Sequence, residues 1–212
     1  MMRRVLAMMA AVAGLTLASP AQAQDFDHWQ VKLGVSGVLP NESAHISPIG
    51  GDVRISDQYV PSAQVEYYFT PQVSAELLCC AAEHDVRAVA TSVGNVDLGH
   101  VTHFPPTLTL KYHWTDFGAL QPYVGAGVNY THFFNARLPS ASPVSGIHYS
   151  DSFGGALQAG VDYRLSEHWG INVDVRRIWI HSNVRMHAGA TAITAKTDID
   201  PWVVTTAVAY RF

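Results

Sequence analysis

From Trp29 onward, apolar and polar residues alternate with a period of two, the spacing that sends successive side chains to opposite faces of a strand. The last segment shows it best. Trp202, Val204, Thr206, Val208, Tyr210 and Phe212 share one face, while Val203, Thr205, Ala207, Ala209 and Arg211 share the other. Leu108, Leu110, Tyr112 and Trp114 stand in the same way against Thr107, Thr109, Lys111 and His113. Eight such runs are predicted, at 28–38, 59–69, 72–81, 104–114, 120–131, 150–164, 169–182 and 200–212. The connections alternate in length. Those at 70–71, 115–119 and 165–168 are tight turns, whereas 39–58, 82–103, 132–149 and 183–199 are long, rich in Gly, Ser, Pro, Asn and His, and read as loops. An even strand number puts both chain ends on the short-turn rim. The pattern predicts an all-β fold: an eight-stranded antiparallel transmembrane β-barrel with short periplasmic turns and four long extracellular loops.

A soluble lipocalin-like barrel has the same period with its apolar face inward, so the strand ends must decide which face is outside. Running odd strands up and even strands down places Trp29, Tyr67, Phe69, Tyr112, Trp114, Tyr163, Trp169, Tyr210 and Phe212 at the periplasmic rim, all on the apolar face. Tyr59, Tyr130, Phe153 and Trp202 fall at the other rim. Two aromatic belts around a band of Leu, Val, Ala and Gly suit a lipid-facing surface, because amphipathic rings favour the headgroup level. A strand of eleven residues tilted near 40° covers roughly 28 Å, enough for that band.

The opposite face then lines the lumen, with Lys32, Lys111, Arg164, Arg176 and Arg211 facing Glu66, Glu76, Asp162 and Asp174. In a barrel this narrow, mixed charges read as an ion-pair network that fills the interior, with a selective pore lining as the alternative. Strict alternation would place Arg177 in lipid, which predicts a bulge at Arg176-Arg177 that turns Ile178 and Ile180 outward. Carried upward, the alternation puts Val38, Val60, Leu78, Cys80, Phe133, Trp179 and Val203 inward at the extracellular end. They form an apolar cup over a floor of Lys32, Glu66, Glu76, Lys111, Asp162, Asp174, Arg176 and Arg211. Pro61, Pro105, Pro106 and Pro201 fall at upper strand ends, where each removes a ladder donor. They either open a lateral gap or only end the strands.

Composition agrees with a surface partly hidden from water. Charged residues make up 14% of the 212, against about 25% in a typical soluble domain. The net charge of −4 leaves no basic face for nucleic acid. Arg3 and Arg4, the apolar stretch 5–18 and Ala21-Gln22-Ala23 read as an export signal cleaved after residue 23, with the barrel domain over 24–212. The two cysteines, Cys79 and Cys80, are adjacent and form no disulfide framework or CxxC motif. His84, His100, His103, His132, His148, His181 and His187 cluster at the long-loop rim without HxH or HExxH spacing. They read as solvated loop residues, with a metal site or a pH switch as the alternative. No GxSxG, carboxylate-pair or phosphate-loop motif points to catalysis, and no motif calls for a cofactor or a metal.

The segments Pro105-Pro106-Thr107-Leu108-Thr109-Leu110-Lys111-Tyr112, Gln121-Pro122-Tyr123-Val124-Gly125-Ala126-Gly127-Val128-Asn129-Tyr130-Thr131, Gly160-Val161-Asp162-Tyr163 and the ending Ile199-Asp200-Pro201-Trp202 through Tyr210-Arg211-Phe212 resemble the OmpW family of outer-membrane proteins. The resemblance spans the mature chain and is weakest in the loops. It implies a bacterial outer-membrane barrel for uptake of small hydrophobic molecules, with an apolar upper cavity and a lateral exit into the membrane. Tyr210 and Phe212 resemble the terminal signal read by the outer-membrane assembly machinery. The expected partners are therefore outer-membrane lipid, a small hydrophobic ligand and that machinery. The alternative function is a structural or docking barrel whose loops bind external partners such as phage or bacteriocins.

Overall fold

The computed structural model describes residues 27–212, so the export signal expected over 1–23 lies outside the described residues. Fifteen strands follow one another. The first eight are β1 (Trp29–Leu39), β2 (Ser43–Ser47), β3 (Asp52–Ile55), β4 (Gln58–Tyr68), β5 (Val73–Cys80), β6 (Ala82–Thr91), β7 (Gly94–Phe104) and β8 (Thr107–His113). The rest are β9 (Leu120–Arg137), β10 (Ser145–Tyr149), β11 (Ser152–Arg164), β12 (Trp169–Ile178), β13 (His181–Ala188), β14 (Thr191–Asp198) and β15 (Trp202–Arg211).

Eight of them close a barrel in the order β1-β4-β5-β8-β9-β11-β12-β15 and back to β1, every neighbour antiparallel. Closure leaves no free edge strand, so the backbone groups of the lipid-facing wall are paired within the ladder except at a break beside Pro61, Pro105 and Pro106. The expected alternation is complete: in β15 the even residues Trp202 to Tyr210 are exposed, and the odd residues Val203 to Ala209 are buried. Both aromatic belts form on the outer face. The lower one is tied together by edge-on pairs, Trp29 with Tyr67 at 4.9 Å and Trp169 with Tyr210 at 4.8 Å. Tyr59, Phe153 and Trp202 stand exposed on the upper one.

The four segments expected as loops are built largely of strands. Above the membrane wall, β9 runs past Thr131 and pairs with β7, which continues through β6 to β3. A second sheet of order β10-β13-β14-β2 stands beside it. Together they raise an extracellular extension with its own buried apolar cluster, including Ile46, Val53, Val86, Leu98, Val184, Met186 and Ile193. These segments do alternate, as in β13, where Ser182, Val184 and Met186 are buried between exposed neighbours. Their high content of Gly, Ser and His masked a period of two.

The bulge expected at Arg176-Arg177 is absent. The ladder from β12 to β15 runs without a shift through Arg176 with Val203 and Arg177 with Trp202, and Ile178 and Ile180 are buried rather than turned outward. Arg177 takes the outward position after all. It lies level with Trp202 in the upper belt, its guanidinium 5.2 Å from that ring and 3.8 Å from the Asp200 carboxylate. At that depth an outward arginine costs about 0–1 kcal/mol, not the 2–4 expected at the bilayer midplane. The strand therefore had no need to bulge.

Candidate functional site

The lower lumen is sealed by charge. Lys32 on β1, Glu66 on β4, Glu76 on β5, Lys111 on β8, Asp162 on β11, and Asp174 and Arg176 on β12 all occupy inward positions and are buried. The Lys32 ammonium lies 2.7 Å from both Glu66 and Glu76 and 3.5 Å from Asp162. Lys111 reaches Glu66 at 2.9 Å and Glu76 at 3.0 Å. Arg176 joins Glu76 at 2.5 Å and Asp174 at 3.3 Å. Neutral groups fill the rest: Gln158 donates to Glu76 at 3.1 Å, and Lys111 lies 3.7 Å from the centre of the Tyr123 ring. Gly160 makes this packing possible, because a Cβ there would stand 2.6 Å from the Tyr123 hydroxyl.

Arg211, expected in this layer, borders it at the periplasmic end, where it and Asp162 line one cleft. It lies over the Tyr68 ring at 3.9 Å and donates to the Asp27 carbonyl at 2.8 Å. Arg164 is exposed at the periplasmic turn, where it donates to the Gly118 carbonyl at 3.0 Å. Glu66, His113 and Asp162 bring ligand-type atoms within 4.8 Å of one another. The ammonium groups of Lys32 and Lys111 already hold those carboxylates, so the cluster is neutralised by lysine where a metal ion would otherwise go.

Above the floor, Ser36, Ser62 and Thr205 form a hydrogen-bonded layer at 2.8 and 2.9 Å. Leu78, Cys80, Ile178 and Val203 are buried at the upper end of the wall. Beyond them the extension surrounds an apolar cavity that is open to solvent. Val38, Val53, Val86, Leu98, Phe133, Val184, Met186 and Ala195 are among the residues that line it. The only nitrogen-bearing side chains in the lining are His84 and His103.

Of the seven residues expected to form the cup, Val38 and Phe133 line this cavity. Val60 and Val203 belong to the surrounding apolar packing, while Leu78 and Cys80 are buried but outside the lining. Trp179 is placed differently. Its ring covers Gly155, an outward position between exposed Phe153 and Leu157, so it faces away from the lumen. Because no bulge shifts the strand, Ile178 and Ile180 take the inward places.

The prolines also separate. At Pro201 the wall stays closed, with the Ile178 amide donating to the Pro201 carbonyl at 3.2 Å and the Ile199 amide to Ile180 at 2.9 Å. Around Pro61, Pro105 and Pro106 the ladder breaks. The β4–β5 pairing ends at Ser62 with Cys80, and the β5–β8 pairing ends at Leu78 with Thr107. Pairing resumes higher up at Ala82 with His103. Residues 79–81 thus lack ladder partners on the β8 side, while Cys79 and Cys80 stay paired to β4.

A model of the OmpW family matches residues 27–212. The chain belongs to the OmpW family. It is 38% identical to the outer-membrane protein y4mB of Sinorhizobium fredii over 92% of this chain and 84% of that one. It is 25% identical to the dibenzothiophene metabolism operon protein PahQ of Pseudomonas aeruginosa, covering 92% of this chain and 93% of the relative. Among solved structures, the outer membrane protein OprG of Pseudomonas aeruginosa superposes with a TM-score of 0.81 at 28% identity, over 88% of this chain and 96% of OprG. This OmpW-family barrel resides in the bacterial outer membrane, its exposed apolar band in contact with lipid.

The histidines of this OmpW-family chain divide in a way the sequence did not indicate. His132, His148, His181 and His187 are exposed, as solvated residues should be, and His132 and His181 pair with Asp151 and Asp198. His84 and His103 are buried, their rings stacked 4.9 Å apart and 11° from parallel. Burial pushes His103 down to about 3 and also lowers His84, so both imidazoles are neutral near pH 7. Their signal was available: positions 82, 84, 86 and 88 all lie on one face of a strand, and the other three are Ala, Val and Ala.

Proposed function

We propose that this barrel takes up small hydrophobic molecules, capturing them in the apolar cavity of the extension and releasing them sideways into the outer membrane. The observation that carries the proposal is the cavity's position above a floor closed by charge. An apolar solute gains about 25 cal/mol for each Å² of its surface buried there. Continuing downward would require it to part ion pairs that are wholly buried, and removing one partner of such a pair is strongly unfavourable. The break in the ladder beside Pro61, Pro105 and Pro106 supports a lateral exit, because it coincides with the upper aromatic belt. The relationship to an operon protein of dibenzothiophene metabolism supports an aromatic hydrophobic molecule as the cargo class.

The experiment is uptake of a hydrophobic fluorescent probe into liposomes that hold equal amounts of folded barrel. Val53→Phe combined with Ala195→Phe fills the cavity with apolar volume and leaves the floor untouched. Uptake should fall severalfold in that variant, and ion conductance should be low in both proteins. Unchanged uptake would remove the cavity from the pathway and return the barrel to a structural role, or to docking phage or bacteriocins through its extension.

A further inference from the structure

We propose that the His84–His103 pair is the polar end of the cavity and selects hydrophobic molecules carrying a hydroxyl group, alcohols or phenols, over plain hydrocarbons. The inference rests on the uptake function proposed above and names its substrate class. Both residues line the cavity, and their exposures are 2% and 6%. Nε2 of His84 and Nε2 of His103 are buried and meet no hydrogen-bonding group of the protein. The other polar side chains of the lining do not share this condition; Ser182, for example, donates to the Ser150 carbonyl at 2.9 Å.

The tautomer of His84 follows from its partner. Its Nδ1 lies 2.5 Å from the carbonyl oxygen of Ser56, which can only accept, so Nδ1 carries the proton and donates it. A neutral imidazole has one N–H, so Nε2 is left as a bare lone pair at an apolar wall. A buried acceptor without a donor is unfavourable, and a ligand that brings an O–H relieves it. Nothing in the lining fixes the tautomer of His103, which can donate to that same hydroxyl oxygen. A hydrocarbon or an ether offers no donor. A carboxylate brings charge and further lone pairs toward an uncharged site. Among the lining residues no Cys, Asp or Glu joins the two rings, so the set is short of the ligands a metal ion would require.

The test compares naphthalene, 2-methoxynaphthalene and 2-naphthol by fluorescence titration of the full barrel in nanodiscs, with empty nanodiscs subtracted for partition into lipid. 2-Naphthol should bind about tenfold more tightly than the other two, the size of one well-made hydrogen bond. The other two should match each other. In His84→Phe the affinity ratio of 2-naphthol to naphthalene should fall from about ten to about one, whatever the absolute affinities. If that variant does not fold, the ranking of the three probes on the natural protein still decides. Equal affinities overturn the selectivity and leave the uptake function standing. Binding that the Val53→Phe, Ala195→Phe variant does not weaken for any probe would instead overturn the uptake function.

Discussion

The floor and the cavity are two levels of one tube, built by the same chain under the same alternation, and they end in opposite states. In the floor the inward positions carry Lys, Glu, Arg, Gln and Tyr, side chains long enough to reach across the lumen and meet partners from several strands. In the cavity the inward positions are mostly Val, Ala, Ile and Met, which cover the wall without reaching its centre. Side-chain length and polarity at alternate positions thus decide whether a level is closed or hollow. Closing with charge has a structural consequence. Each floor group depends on two or three others, so the floor has few tolerable changes, whereas the cavity can lose or gain a methyl group with local effects.

The comparison predicts that damage to the floor spreads and damage to the cavity does not. Glu76→Leu should have the largest effect, because it leaves Lys32, Lys111 and Arg176 short of a partner. A loss of about 3–5 kcal/mol is expected for breaking such a buried network. The measurement is the urea midpoint of the barrel refolded in detergent, with loss of its heat-sensitive gel mobility as a second readout. A change under 1 kcal/mol would mean that the floor is plastic.

Acid should separate the two levels next. His103 is held neutral down to about pH 3 by burial, while the opened chain takes up a proton near its ordinary value of 6.5. The stabilising difference is therefore complete above pH 6.5 and declines as the pH falls toward 3, by about 1.4 kcal/mol per unit. Hydrogen exchange at pH 4.5 should show β6 and β7 opening more readily than at pH 7.5, with the barrel strands unchanged. Equal protection at the two values would contradict the burial of His103.

A smaller effect is expected from Arg177→Leu, which removes a partly buried charge at the upper belt and should alter stability by about 1 kcal/mol or less. A large change would put Arg177 deeper in lipid than its pairing with Asp200 implies. Deleting Phe212 should change the stability of the refolded barrel least of all. That ring is exposed on the outer face beside Tyr210, so detergent refolding should be nearly intact. If it belongs to an assembly signal, the amount of assembled protein in cells should drop severalfold. An equal fall in both measurements would reduce Phe212 to a belt aromatic.

The lipid-facing wall was legible in the sequence because both its signals are local. Trp202 to Phe212 announce their strand by alternation and their depth by the aromatics at each end, and the ladder follows them residue by residue. The floor residues were legible for the same reason, as charges on the inward face. Alternation fixes a face and not a height, so it did not show that Arg211 borders the floor from below. Trp179 was misplaced because one assumed bulge reverses every residue after it. The strands of the extension were missed because residues such as Gly94, Gly146 and Gly189, all at positive φ in hairpin or bulge positions, look like loop composition when the alternation between them is overlooked.

The sequence by itself determined the strand period, the outward face, the closed eight-stranded wall and the set of charges inside it, because each depends on a residue and its near neighbours. Tertiary structure alone decided which charges meet, where the lumen is hollow and which of eleven histidines are buried. Those outcomes depend on stagger, the vertical offset between strands far apart in the chain. A period of two carries no information about it. Lys32 meets Glu76, and His84 stacks on His103, only because closure of the sheet and the pairing of the extension set those strands at matching heights.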